Sequence, residues 1–182
     1  MAIPKPQRMT ADAFFVWAAT QRGRYELAAG EVVAMAPERA AHNRVKFAAG
    51  RALQDAARGL ACEVFVDGMV VRIDDATVYE PDATVRCGVP LADHATEFSD
   101  PVVVVEVLSP NTQARDVGAK LEDYFRLPSV RHYLIVSPER HTVVHHDRDE
   151  AGIITTTIVK EGSLRLVPPG IEVTVAELFA AP

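Results

Sequence analysis

Several absences set the first limits on this 182-residue chain. It has only two cysteines, Cys62 and Cys87, and no Cys-x-x-Cys pair or Cys/His finger spacing, which excludes a zinc finger. The two thiols stand far apart in unlike contexts and predict free cysteines in a reducing cytoplasm. No apolar run is long enough to span a bilayer. The opening Met1-Ala2-Ile3-Pro4-Lys5-Pro6 has no apolar stretch of the secretory kind. The expectation is a cytoplasmic protein with no membrane partner. GxGxxG, Walker A, GxSxG and HExxH patterns are all missing, so the common dinucleotide, P-loop, serine-hydrolase and zinc-protease signatures are excluded. An excess of positive charge is missing too. The chain has 19 Lys and Arg against 25 Asp and Glu, a net charge of -6. That argues against a protein that coats nucleic acid non-specifically, but leaves room for a local basic groove.

What is present is enough apolar material for a core: 48% of residues are hydrophobic and 24% charged. The length fits one domain over residues 1–182, with a loose arm over 1–9. Thr10 is a good helix cap, with Asp12 in the first turn of a short helix carrying Phe14, Phe15 and Trp17. Residues 24–27 and 32–35 read as strands around a turn at Gly30. From 41 to 58, Val45, Ala48, Ala49, Ala52, Leu53 and Ala56 recur at helical spacing. Residues 62–66 and 69–73 predict a hairpin about Asp67-Gly68, a strong turn dipeptide.

Pro81-Asp82 opens a further strand over 83–86. Residues 102–108 form the most hydrophobic strand, of the kind buried on both faces, and lead into the turn Ser109-Pro110-Asn111-Thr112. Val117, Leu121, Tyr124 and Phe125 stripe the next helix. Residues 132–136 and 142–146 predict two strands. Residues 153–159 and 164–167 predict a hairpin about Glu161-Gly162, before a short helix near 176–179. The order predicts an α/β (α+β) fold, a mixed sheet flanked by helices.

The chemical signal is a charge where the pattern forbids one. Glu106 interrupts the run Val102-Val103-Val104-Val105-Glu106-Val107-Leu108. A carboxylate in a central strand is paired, protonated or metal-bound. The plain alternative is a core ion pair, though such pairs are rarely kept for stability alone. If the strand after Asp82 runs antiparallel to 102–107, Asp82 lies beside Glu106. Its plain alternative is ordinary turn chemistry. Two close carboxylates repel, and a hard divalent cation such as Mg²⁺ or Mn²⁺ relieves that repulsion. Lys120, between Val117 and Tyr124, flanks the buried stripe. It is either a snorkelling side chain or a group that orients water beside the acids. Glu26 and His42 are further candidates, for the cation's outer shell and for a phosphate, and their plain alternatives are an exposed hairpin carboxylate and a helix-start histidine. Tyr124 could bond an active-site carboxylate. Arg115 and Asp116 read as capping or solvated charges.

Tyr25-Glu26-Leu27 with Gly30-Glu31, His42, Pro81-Asp82, Val105-Glu106-Val107-Leu108-Ser109-Pro110, Asp116 with Lys120 and Tyr124, and Val130-Arg131-His132-Tyr133-Leu134-Ile135-Val136 follow in order over nearly the whole chain. Together they resemble the Uma-two family of restriction-endonuclease-like proteins, in the PD-(D/E)XK nuclease superfamily. The resemblance implies a restriction-endonuclease-like core and metal-dependent hydrolysis of nucleic acid, with DNA first. By position, Asp82 matches the PD aspartate and Glu106 the following acid. Leu108 stands where the superfamily keeps its lysine, and the resemblance implies that Lys120 replaces it. Cutting both strands would favour a homodimer. A nucleic-acid-binding module without activity, and a hydrolase of other phosphate esters, are the alternatives. His141, His145 and His146 read as a solvated edge strand rather than a zinc set.

Overall fold

The computed structural model describes residues 8–109 and 114–180, and the side chains of 114–117 lie outside that description. The expected turn at 110–112, the roles of Arg115 and Asp116, and most of the expected arm fall on residues outside it. Met9 is tied down rather than loose: its N–H donates to the Gly30 carbonyl at 2.9 Å.

In chain order the elements begin with α1 (Ala11–Ala18), β1 (Tyr25–Ala28), β2 (Glu31–Ala34) and α2 (Ala40–Ala56). β3 (Cys62–Val66), β4 (Val70–Asp74), β5 (Thr77–Tyr79), β6 (Ala83–Cys87), β7 (Glu97–Phe98) and β8 (Pro101–Val107) follow. Then come α3 (Ala114–Tyr124), β9 (His132–Ser137), β10 (Thr142–Arg148), β11 (Ile154–Val159), β12 (Ser163–Leu166), β13 (Ile171–Thr174) and α4 (Val175–Leu178). Thr10 caps α1 as expected, accepting from the Ala13 N–H. No helix among the described residues is long and apolar enough to cross a membrane.

The strands form a five-stranded sheet, β2-β1-β5-β4-β7, a six-stranded sheet, β11-β10-β9-β8-β6-β3, and a β12-β13 ribbon. β8 lies inside the six-stranded sheet, antiparallel to β6 and parallel to β9, which is why it reads as a near-continuous apolar run. Its side chains alternate between two cores. Val103, Val105 and Val107 join Leu53, Leu134, Leu166 and Leu178 under α2, α4 and the ribbon. Val104 faces the other way, with Tyr79, Tyr124, Tyr133 and Ile135. Each fully buried valine contributes roughly 1.5–3 kcal/mol.

Two expected hairpins dissolve. Asp67 and Gly68 adopt the expected positive φ, +59° and +73°, yet β3 pairs with β6 while β4 pairs with β5 and β7. The turn passes the chain from one sheet to the other, because its polar groups are engaged: Lys46 bonds the Asp67 carboxylate, and the Gly68 N–H donates to Glu80. Likewise β11 pairs with β10, and β12 with β13. β5 and β7, three and two residues long, carry too little pattern to be read from sequence.

The cysteine reading is overturned. Cys62 stands directly opposite Cys87 in the β3–β6 register, and the two form a disulfide. Pairing between strands separated by 25 residues brings them together, which spacing alone does not reveal. The thiol argument for a reducing compartment falls away with it. The histidine reading also changes. β10 is an interior strand rather than an edge, and His145 and His146 are buried at 9% and 7% exposure.

Candidate active site

The five site residues expected from sequence come from different elements and meet at one pocket. Ala83 stands opposite Val105, so Asp82, one residue outside β6, falls across from Glu106 on β8. Glu26 comes from β1, His42 from the first turns of α2 and Lys120 from α3. All five line a cavity of about 290 Å³ that also includes Glu38, Leu108 and Tyr133.

Glu106 is mostly covered, with 15% of its side chain exposed. Its Oε1 accepts from Lys120 Nζ and from the Tyr124 hydroxyl, each at 3.0 Å. Lys120 Nζ also donates to Glu26 Oε1 at 2.8 Å, and that oxygen accepts from the Glu80 N–H at 3.0 Å. Lysine and acid are therefore in contact, although Leu108 occupies the position two residues past the acid.

Asp82 is held by three donors. Its Oδ2 accepts from the Val107 N–H at 2.6 Å, while Oδ1 lies 3.2 Å from His42 Nε2 and 3.0 Å from Lys46 Nζ. Lys46 is the residue that sequence reasoning passed over. It is 1% exposed, and its ammonium also reaches Glu38 at 2.5 Å and Asp67 at 3.0 Å. Arg24 joins this network through Glu38, Asp67 and Glu80. The signal was there: Lys46 follows His42 by four residues, so the two share a helix face.

The electrostatics separate the two acids. Burial, with repulsion from Asp82 and Glu26, pushes the Glu106 carboxyl up to about 7 against the pull of Lys120. Burial works to raise Asp82 as well, but the His42 bond and the Lys46 charge outweigh it and hold it below the usual carboxylate range. Burial works to lower Lys120, but Glu106 and Glu26 outweigh it and keep it charged. Burial and the Glu106 charge keep Tyr124 a neutral hydroxyl, and so a donor.

A hard divalent cation fits this donor set. Asp82 and Glu106 present carboxylate oxygens to one cavity and repel one another, a cost that a cation between them removes. Glu38, His42 and Asp82 also bring one ligand atom each within 4.8 Å of one another. There the Lys46 ammonium already supplies positive charge.

Comparison with known proteins agrees with this architecture. The model of the Uma2 family, described as "Putative restriction endonuclease", matches residues 11–176. An uncharacterized protein of Synechocystis sp., slr1290, is 26% identical over 175 residues, covering 94% of this chain and 92% of its own. A second from that organism, sll1609, is 27% identical over 126 residues, covering 68% and 71%. A crystal structure from Anabaena variabilis, titled "a putative nuclease belonging to DUF820", superposes with a TM-score of 0.77 at 14% identity. It covers 94% of this chain and 97% of that one. At that identity the likeness shows the fold, which is nuclease-like as the sequence predicts.

Proposed function

This chain belongs to the Uma2 family, and from that membership together with the pocket geometry we propose that it is an endonuclease. It hydrolyses phosphodiester bonds of DNA with a divalent cation, Mg²⁺ or Mn²⁺, held by Asp82 and Glu106. The observation that carries the reading is the 3.0 Å contact between Lys120 Nζ and Glu106 Oε1. It supplies from α3 the acid–lysine pair that β8 itself lacks.

The cation would bring charge for the scissile phosphate and a more acidic bound water. The chain's own groups do the positioning. The Val107 N–H and His42 fix the two oxygens of Asp82, and Tyr124 fixes Glu106. Glu26 and Glu106 together hold the Lys120 ammonium at the pocket. There it orients the attacking water and balances charge growing on the phosphate. His42 lies at the α2 end of the cavity, where a phosphate oxygen can meet its ring. A two-fold dimer would give each strand of a duplex its own site.

The test is cleavage of plasmid, linear and single-stranded DNA with Mg²⁺, with Mn²⁺ and with chelator. Wild type cuts only with the cation, and Glu106→Gln and Lys120→Ala each lower the rate by about 100-fold or more. If no nucleic acid is cut, or if both variants cut like wild type, the reading fails. Cleavage of duplex DNA by a species that sediments as a monomer removes the dimer.

A further inference from the structure

A second cluster lies on the opposite face of the six-stranded sheet from Glu106. His132 on β9 stands across from Asp147 on β10, and His145 lies two residues before Asp147 on the same face. His132 Nδ1 is 3.0 Å from His145 Nε2 and 3.2 Å from Asp147 Oδ1. All three ligand atoms fall within 4.8 Å of one another. His132 is 1% exposed and His145 9%, while the Asp147 side chain is half open to solvent.

The hydrogen bonds fix the tautomer of His132. His132 Nε2 lies 3.0 Å from the Pro168 carbonyl, an oxygen that can only accept, so Nε2 carries the proton. In the neutral ring Nδ1 then offers a lone pair, directed towards His145 Nε2 and the Asp147 carboxylate. A cation at that point would meet one ligand atom from each of the three residues.

We propose that His132, Asp147 and His145 form a zinc site, distinct from the acidic pocket. Two imidazoles and one carboxylate suit Zn²⁺ over Mg²⁺. Zn–N and Zn–O bonds of roughly 2.0–2.1 Å in a tetrahedron set ligand atoms about 3.3 Å apart, close to the 3.0 and 3.2 Å found. The His132–Pro168 bond is the outer-shell contact that fixes tautomer and ring direction. Water takes the fourth position on the open side, next to Asp147. Pro168 lies between β12 and β13, so this bond ties the ribbon to the sheet beside the site.

The test uses the full chain, stripped with chelator and titrated with Co²⁺ and then Zn²⁺. One equivalent of Co²⁺ gives a tetrahedral d–d band, and Zn²⁺ displaces it. Asp147→Asn, on a half-exposed side chain, and His145→Gln each weaken Zn²⁺ binding by at least about 100-fold, beyond the loss typical of an outer-shell partner. Glu106→Gln keeps the band. In wild type, Zn²⁺ shifts the His132 imidazole nitrogen resonances, a readout independent of any variant. The proposal is overturned by the absence of a tetrahedral band, by a band that survives in Asp147→Asn, or by one that disappears in Glu106→Gln. Failure of DNA cleavage leaves it standing, because none of these readouts uses the acidic pocket.

Discussion

At the scale of the residue, Lys46 shows how much one buried charge organises. Its ammonium is the shared partner of Glu38, Asp67 and Asp82, and removing it leaves three acids facing one another. Breaking a buried ion pair by deleting one member costs about 3–5 kcal/mol. Lys46→Met is expected near 3 kcal/mol, because Glu38 and Asp67 reach solvent and are partly screened. Urea denaturation of variant and wild type measures the difference, and a loss below 1 kcal/mol would show that solvent already satisfies these acids. Glu106 and Lys120 stood out in the sequence because each breaks a local rule, an acid in an apolar strand and a lysine on a buried stripe. Asp82 followed from its expected place beside Glu106, whereas Glu26 and His42 broke no pattern. Lys46 shares a helix face with His42, but that spacing does not reveal which acids it touches, which the fold alone shows.

At the scale of the element, α2 packs on β3 through a glycine. A Cβ at Gly50 would lie 2.1 Å from Val66 Cγ2. Helix propensity alone favours Ala over Gly by about 1 kcal/mol, but this overlap outweighs it. Gly50→Ala is therefore expected to destabilise by about 1–3 kcal/mol, and Val66→Ala in the same chain to recover most of that in a double-mutant cycle. If Gly50→Ala stabilises instead, the contact is looser than described. A second element contact carries pH dependence. Burial works to raise Asp74 on β4, but the Ala76 N–H at 2.7 Å and the Arg126 guanidinium just past α3 hold it below its ordinary value. A carboxyl lowered in the folded state stabilises above its unfolded pKa, so this contribution fades as pH drops below about 4. Wild type should lose stability more steeply than Asp74→Asn in acid titrations below that point, and parallel curves would count against the pairing. Most elements were readable from period and caps. β5 and β7 were too short, and the partners of β3 and β11 depend on contacts far along the chain rather than on the turns beside them.

At the scale of the whole molecule, the Cys62–Cys87 bond closes a loop that holds β4, β5, Glu80 and Asp82. Chain-entropy estimates for a loop of this size give about 3 kcal/mol. Reduction with dithiothreitol should lower stability by roughly that amount in urea melts, and a Cys62→Ala, Cys87→Ala double variant should not respond to the reductant. An unchanged midpoint on reduction would mean that strand pairing alone fixes the loop. The acid–lysine arrangement has a further consequence at this scale. Glu106 is fixed by strand pairing in the six-stranded sheet, whereas Lys120 is fixed by how Tyr124, Phe125 and Leu127 at the end of α3 dock on Val104 and Tyr133. The two halves of the pair are thus held by different contacts. If heat frees α3 first, the cleavage proposed above is lost at a lower temperature than the β-sheet signal in circular dichroism, and coincident loss of the two shows that helix and sheet melt together.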